Sequence, residues 1–214
     1  MILPANTTIF LARHGQSEWN NLQRISGQGN PGLSSRGIEQ SAALAECLIG
    51  QSLSAIYTSA LRRTLDTAQP TALVHGLQVH SCEALNEIHM GTLQGGFRDE
   101  RDPEAMCLWE QWKQNPEETR PPGGETYSEL RGRVNHCLLS ILDKHAGDSV
   151  LIVGRRGTNR ILCTTLMQWP ESRAMVLRLR SKYFYRIRLG NSPTIDSYCL
   201  TGIKKGCRVD GFLM

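Results

Sequence analysis

The stretch that decides the fold comes early in the chain, at residues 7–15, which read Thr-Thr-Ile-Phe-Leu-Ala-Arg-His-Gly. Its first six residues are β-branched or apolar, which is the pattern of a strand buried in a sheet. Arg13, His14 and Gly15 then break that pattern with charge and a permissive backbone. We therefore predict a buried strand that carries a cation and an imidazole at its carboxyl end.

The remainder of the chain alternates between short apolar runs and stretches with helical spacing. Runs typical of strands lie at 54–58, 77–80, 149–153, 183–189 and 194–200. Stretches with helical periodicity lie at 34–49, 61–75, 125–146 and 157–168. The alternation predicts an α/β fold, a three-layer α/β/α sandwich with a mostly parallel central sheet. No repeat or low-complexity linker divides residues 1–214, so a single domain is expected.

One region departs from this alternation. The residues from about 88 to 124 are rich in Gly, Pro and charge, and Met106, Trp109 and Trp112 mark a short amphipathic helix within them. We interpret this region as a small cap insertion that lies over one edge of the sheet.

The charge and the cysteine content limit which classes of function are expected. The net charge is +4 and no long basic run occurs, which argues against a nucleic-acid partner. The clusters at 178–182 and 204–205 are interpreted as solvated surface. Seven cysteines without a C-x-x-C pair disfavour disulfides and structural zinc. With neither a signal peptide nor an apolar run of ~20 residues, we expect a cytoplasmic protein without a membrane partner.

Several polar residues follow the predicted strands. Arg13 and His14 end the first strand, Arg63 lies shortly after the second, Glu87 follows the third, and Arg155 follows the strand at 149–153. Ligands of open α/β sheets bind outside the carboxyl ends of the strands. Arginines converging there with a histidine and a carboxylate predict an oxyanion site, with phosphate as the obvious ligand.

Four segments resemble the motifs of the histidine phosphatase (phosphoglycerate mutase-like) superfamily. Residues 11–20, LARHGQSEWN, resemble its R-H-G-x-[ST]-x-x-N signature, and residues 32–40 resemble P-L-[ST]-x-x-G-x-x-Q. Residues 58–68 are similar to S-x-L-x-R-[AT]…T-A, and residues 85–95 to the segment that carries the family's glutamate. The motifs occur in family order and at family spacing over about residues 8–165.

The resemblance implies a role for each of these residues. His14 would be the nucleophile that forms a phosphohistidine, and Arg13 and Arg63 would clamp the phosphoryl oxygens. Asn20 would donate one more hydrogen bond, and Glu87 would act as general acid and then as base. No cofactor or metal is implied. The expected reaction is hydrolysis of a small phosphorylated metabolite, with activity falling at both acid and alkaline pH.

The chain departs from the family pattern at one position. Residues 153–160, VGRRGTNR, resemble V-x-H-x-G-x-x-R, so Arg155 stands where the family has its second histidine. Arg155 keeps a positive charge for phosphate binding, but its side chain is longer than that of histidine. Three outcomes stay open: slowed turnover, altered substrate choice, or phosphate binding without turnover. The alternatives are a cofactor-dependent phosphoglycerate mutase and a catalytically degenerate protein that binds phosphorylated ligands or a partner. Association as a homodimer also stays open.

Overall fold

The computed structural model describes residues 3–202 and 204–209; residues 1–2, 203 and 210–214, which the single-domain prediction includes, lie outside it. The described residues form a seven-stranded sheet in the order β3-β2-β4-β1-β5-β6-β7. The strands are β1 (Thr8–Arg13), β2 (Ala55–Thr58), β3 (Val79–Ser81), β4 (Ser149–Gly154), β5 (Tyr183–Arg188), β6 (Thr194–Cys199) and β7 (Arg208–Val209).

The sheet is parallel in one half and antiparallel in the other. β3, β2, β4 and β1 pair in parallel, whereas β5, β6 and β7 pair antiparallel to their neighbours. The predicted parallel sheet is confirmed at the centre, where β1 and β4 lie side by side. The antiparallel half follows from the short connection between β5 and β6, since a parallel crossover needs a dozen or more residues.

Helices cover both faces of the sheet. The described helices are α1 (Glu18–Asn21), α2 (Ser35–Leu48), α3 (Arg62–His75), α4 (Pro103–Gln114), α5 (Tyr127–Lys144), α6 (Arg156–Leu166) and α7 (Arg173–Val176). Side chains of β1 alternate between two cores: Ile9 and Leu11 pack with α5 and α6, and Phe10 and Ala12 pack with α2 and α3. The predicted three-layer sandwich is thus confirmed.

Local chemistry explains where the elements differ from prediction. β3 spans Val79–Ser81 instead of 77–80, because the N–H of Leu77 bonds Ala72 O at 3.0 Å and completes the end of α3. Gly76 permits this helix end with φ 64°. The short helices α1 and α7, the strand β7 and two 3₁₀ turns (Glu83–Leu85 and Gly91–Leu93) were not predicted, since so few residues carry no periodicity.

The cap region contains the predicted helix. Its helix α4 carries Met106, Trp109 and Trp112, and Asp102 accepts a hydrogen bond from Ala105 N at its start. The Trp109 and Trp112 rings lie 5.0 Å apart between centroids and pack against the core on the α5 and α6 face. None of the helices in the described ranges is long and apolar enough to cross a membrane.

Candidate active site

The carboxyl ends of β1 and β4 bring the predicted residues of two distant segments together. Arg13 is in register with Gly154, and the N–H of His14 donates to Gly154 O at 3.0 Å. Arg155 follows directly and is the N-cap residue of α6. From α6, the side-chain amide of Asn159 donates to Ala12 O at 2.9 Å, which fixes the end of β1 against the helix.

The imidazole of His14 is buried, with 1% of its surface exposed. Nδ1 lies 2.6 Å from Gly15 O; since a carbonyl oxygen only accepts, Nδ1 carries the hydrogen and Nε2 keeps the lone pair. Among the described residues Nε2 has no hydrogen-bond partner. Burial, reinforced by the charges of Arg155, Arg13 and Arg63, holds the pKa of His14 well below 6.5. The ring is therefore neutral and can act as a nucleophile.

The backbone after His14 is held by α3 and α2. The N–H of Gly15 donates to Thr67 Oγ1 at 3.0 Å, and the Thr67 hydroxyl donates to Arg63 O at 2.6 Å. A Cβ at position 15 would overlap the carbonyl of Gly37, so only glycine lets α2 approach this closely. These contacts fix the direction of the imidazole.

Two of the arginines predicted to bind phosphate form hydrogen bonds with the loop at residues 26–29. Arg63 is fully buried and donates to Gly29 O at 2.5 Å and to Gly27 O at 3.3 Å. Arg155, 5% exposed, also donates to Gly27 O. The Nε atoms of both side chains have no hydrogen-bond partner among the described residues. Some of the N–H donors of Arg63 and Arg155, which the sequence analysis expected to bind phosphate, are thus used by backbone carbonyl oxygens.

Glu87 joins the site from the segment after β3. Its carboxylate accepts hydrogen bonds from Gly157 N at 3.0 Å and Ile88 N at 3.1 Å, and Oε2 lies 4.0 Å from Arg155 Nε. Burial alone would raise the pKa of Glu87, but Arg155, the two N–H groups and Arg13 together lower it below its usual value. Glu87 is therefore ionised at neutral pH.

A residue that the sequence analysis missed holds the Glu87 segment. Arg133, on α5, donates to Ala84 O and Asn86 O, each at 2.8 Å, and to Glu87 O at 3.0 Å. It also forms an ion pair with Glu125. In the sequence Arg133 is one of several cations on the polar side of a helix, so no local signal distinguishes it.

A cleft of about 360 Å³ opens beside these groups. Four predicted site residues line it: Arg13, Asn20, Glu87 and Arg155. Its lining also includes three aromatic residues, Trp109, Trp112 and Tyr127. His14 and Arg63 are buried and do not line the cleft.

Arg13 and Asn20 are the more accessible members of the set. Arg13 is partly exposed, and burial together with the charge of Arg155 lowers its pKa to about 10. Asn20 is exposed, and its side-chain oxygen accepts from the Ser17 N–H and hydroxyl, both at 3.0 Å. Its oxygen is thus used to cap α1, and its amide group is the part available for a ligand.

A protein metal site needs several ligating side chains close together. Within residues 3–202 and 204–209, no three or more His, Cys, Asp and Glu side chains are grouped so as to hold a metal ion.

Known proteins resemble this chain in sequence and in structure. A protein from Serratia proteamaculans named "Probable phosphoglycerate mutase GpmB" is 33% identical over 189 residues, which cover 88% of each chain. A mycobacterial glucosyl-3-phosphoglycerate phosphatase superposes with a TM-score of 0.74 at 25% identity, covering 84% of this chain and 89% of its own. The fold is also that of the alpha-ribazole phosphatase from Shigella flexneri, with a TM-score of 0.80, 23% identity, and coverage of 94% and 97%.

The family model of the histidine phosphatase superfamily (branch 1) matches residues 9–193. This match confirms the predicted family and, at the level of the superfamily, the predicted enzyme class. Because the match covers most of the sequence, the chain belongs to the histidine phosphatase superfamily.

Proposed function

We propose that this chain is a phosphomonoesterase that hydrolyses a small, cytoplasmic phosphorylated metabolite through a phosphohistidine on Nε2 of His14. The supporting observation is the imidazole itself, a buried neutral ring whose Nδ1–H donates to Gly15 O and whose Nε2 lone pair is engaged by none of the described residues. The positive charges of Arg13, Arg63 and Arg155 surround it. They would stabilise the negative charge of a transferring phosphoryl group.

The reaction proceeds in two displacements. The Nε2 lone pair of His14 forms a bond to phosphorus while the ester P–O bond breaks, and the leaving oxygen takes a proton. Water then attacks phosphorus, the P–N bond breaks, and inorganic phosphate leaves. Glu87 donates the proton in the first step and accepts one from water in the second.

The ionised state of Glu87 suits the second step directly. For the first step the carboxylate must gain a proton, and a bound phosphate dianion favours this. The phosphate forms an ion pair with Arg155, which then stabilises the Glu87 carboxylate less. The negative charge of the phosphate also raises the pKa of Glu87. Substrate binding therefore prepares Glu87 as the acid.

Arg155 slows this cycle in our proposal. Its guanidinium takes the place of the family's second histidine and holds Gly27 O beside the phosphate site. Phosphate must displace this carbonyl from Arg155, and the carbonyls of the same loop from Arg63, before it reaches His14. The replacement bonds to phosphate are charge-assisted, so binding stays favourable although the loop has to move.

The proposal is tested by hydrolysis of 4-nitrophenyl phosphate in the presence of EDTA. The intact protein is compared with His14→Ala and Arg155→His, and inorganic phosphate binding is measured for all three. We expect activity to disappear in the first variant and to rise in the second. If no protein is active while phosphate still binds, the non-enzymatic alternative, a phosphate-binding protein, is correct.

The second candidate function is a cofactor-dependent phosphoglycerate mutase. The name of the 33% identical Serratia protein favours it. Its test is the interconversion of 2-phosphoglycerate and 3-phosphoglycerate with and without 2,3-bisphosphoglycerate. A rate that depends on the bisphosphate would identify a mutase, whereas release of inorganic phosphate alone supports the phosphomonoesterase.

A further inference from the structure

A second cleft adjoins the candidate active site and is strongly basic. Its volume is about 520 Å³, and every charged residue that lines it is an arginine: Arg13, Arg156, Arg160, Arg178 and Arg180. Arg13, Arg156 and Arg160 line the first cleft as well, so the two clefts are neighbours. We call the second one the arginine cleft.

Three arginines of this cleft lack acidic partners in the part of the chain that the structure describes. No aspartate or glutamate lines the cleft, and within the described ranges Arg156, Arg178 and Arg180 form no ion pair. Some arginines elsewhere are neutralised by acidic partners: Arg131, for example, pairs with both Glu117 and Glu171. The arginine cleft is thus a local excess of positive charge on a chain whose net charge is only +4.

The cations of the cleft are also close enough to influence one another. Arg160 is fixed by the hydrogen bond from its Nε to Leu177 O, at 2.7 Å. Burial, together with the charges of Arg156 and Arg178, lowers its pKa. Glu87 offsets part of the charge of Arg13 and Arg160. The remaining like charges repel one another, and an anion placed among them reduces that repulsion.

The residues that line the cleft indicate which anions it can bind. Planar guanidinium groups bind phosphate and carboxylate through paired hydrogen bonds. The apolar lining residues Met175, Val176 and Leu179 offer contacts for a short carbon skeleton between charged groups. Arg13, which precedes His14 in the chain, borders both clefts and connects the phosphate-transfer site with the arginine cleft.

We propose that the arginine cleft is a second anion subsite, and that the substrate carries a further phosphate or carboxylate group besides the phosphate that is transferred. This inference rests on the proposed function for the position of the transferred phosphate. It restricts the substrate to metabolites with two anionic groups, the second of which binds among Arg156, Arg178 and Arg180.

The test is a binding experiment that needs no turnover. Alkylphosphonates, whose C–P bond resists hydrolysis, are titrated calorimetrically into the intact protein. Each is compared with the α,ω-bisphosphonate and the ω-phosphonocarboxylate of the same carbon chain, over a series of chain lengths. The two ligand series distinguish phosphate from carboxylate as the second group.

Variants locate the second group. Arg178→Gln/Arg180→Gln removes two exposed cations of the arginine cleft, and Lys144→Gln removes an exposed cation at the end of α5 that does not line it. A hydrogen bond to a charged group contributes ~1.5–3 kcal/mol, which is about tenfold or more in affinity. We expect one two-anion ligand to bind about tenfold more tightly than its monophosphonate. That advantage should disappear in the arginine double variant and persist in Lys144→Gln.

Two results would overturn the proposal. In the first, no two-anion ligand of any length binds more tightly than its monophosphonate. In the second, the advantage survives in the arginine double variant. If the advantage behaves as expected but the protein shows no phosphatase activity, the subsite stands and only the proposed function fails.

Discussion

The substitution Arg155→His tests how the guanidinium controls the candidate site. Arg155 is almost fully buried, donates to Gly27 O, and has Nε 4.0 Å from Glu87 Oε2. A hydrogen bond from a charged group contributes ~1.5–3 kcal/mol. Substrate binding must break this one, so removing it should raise kcat/KM by about tenfold to a hundredfold.

The same substitution changes the charge around Glu87. Two opposite unit charges 4 Å apart interact by about 4 kcal/mol at an effective dielectric constant of 20, and desolvation offsets much of this. Histidine carries less charge at neutral pH, so the pKa of Glu87 should rise toward its usual value. The acid limb of the activity profile should therefore move to higher pH in the variant.

The assay is steady-state hydrolysis of 4-nitrophenyl phosphate with EDTA, at several pH values. Arg62→His is the matched control, because Arg62 is exposed and, among the described residues, its side chain forms an ion pair only with Asp66 on α3. We expect the control to keep the rate and pH profile of the intact protein. The reasoning would be refuted if Arg155→His, folded by circular dichroism, were no faster than the control. Arg155 would then be a productive phosphate ligand and not an obstacle.

Three further predictions concern pH and packing. On the acid side, activity should fall only well below pH 6.5, since the lowered pKa of His14 keeps Nε2 unprotonated. On the alkaline side it should fall near pH 9, because Arg63, with a pKa of about 9, loses its charge there. A profile that rises steadily with pH would contradict this prediction. In urea denaturation, the free energy of unfolding should decrease as pH falls below 6.5, because His14 becomes protonated in the unfolded chain but not in the folded chain. The substitution His14→Asn should lessen that decrease. Gly157→Ala should destabilise by ~1–3 kcal/mol, since its Cβ would overlap the carboxylate of Glu87, whereas Gly132→Ala, with open space around it, should stabilise by ~0.5–1 kcal/mol. Equal effects of the two alanines in chemical denaturation would show that the carboxylate does not require this glycine.

The elements nearest the site were predictable because their local patterns are strong. β4 is an uninterrupted apolar run, and α5 begins with a capping box in which Thr126 and Glu129 satisfy each other's backbone groups. The end of β1 was predictable because the sequence changes from apolar Ala12 to charged Arg13. Parallel pairing of β1 with β4 then brings His14 and Arg155 together, as the ends of adjacent strands require.

The engagement of the site residues was not predictable from local patterns. Whether Arg63 and Arg155 face phosphate or the carbonyls of residues 26–29 depends on how a loop folds back over the sheet, which no spacing encodes. Arg178 and Arg180 are exposed, as their interpretation as surface charge implied, yet they line a cleft beside the site. Only tertiary packing distinguishes these positions from other surface arginines.

The central claim, phosphoryl transfer through His14, is tested most directly by trapping the intermediate. The protein is mixed with a phosphate ester radiolabelled on phosphorus, quenched in alkali within the first turnover, and digested so that the labelled residue can be identified. We predict an acid-labile, alkali-stable label on His14 that is absent from His14→Ala. Continued hydrolysis without any labelled protein, or a label on another residue, would contradict the account.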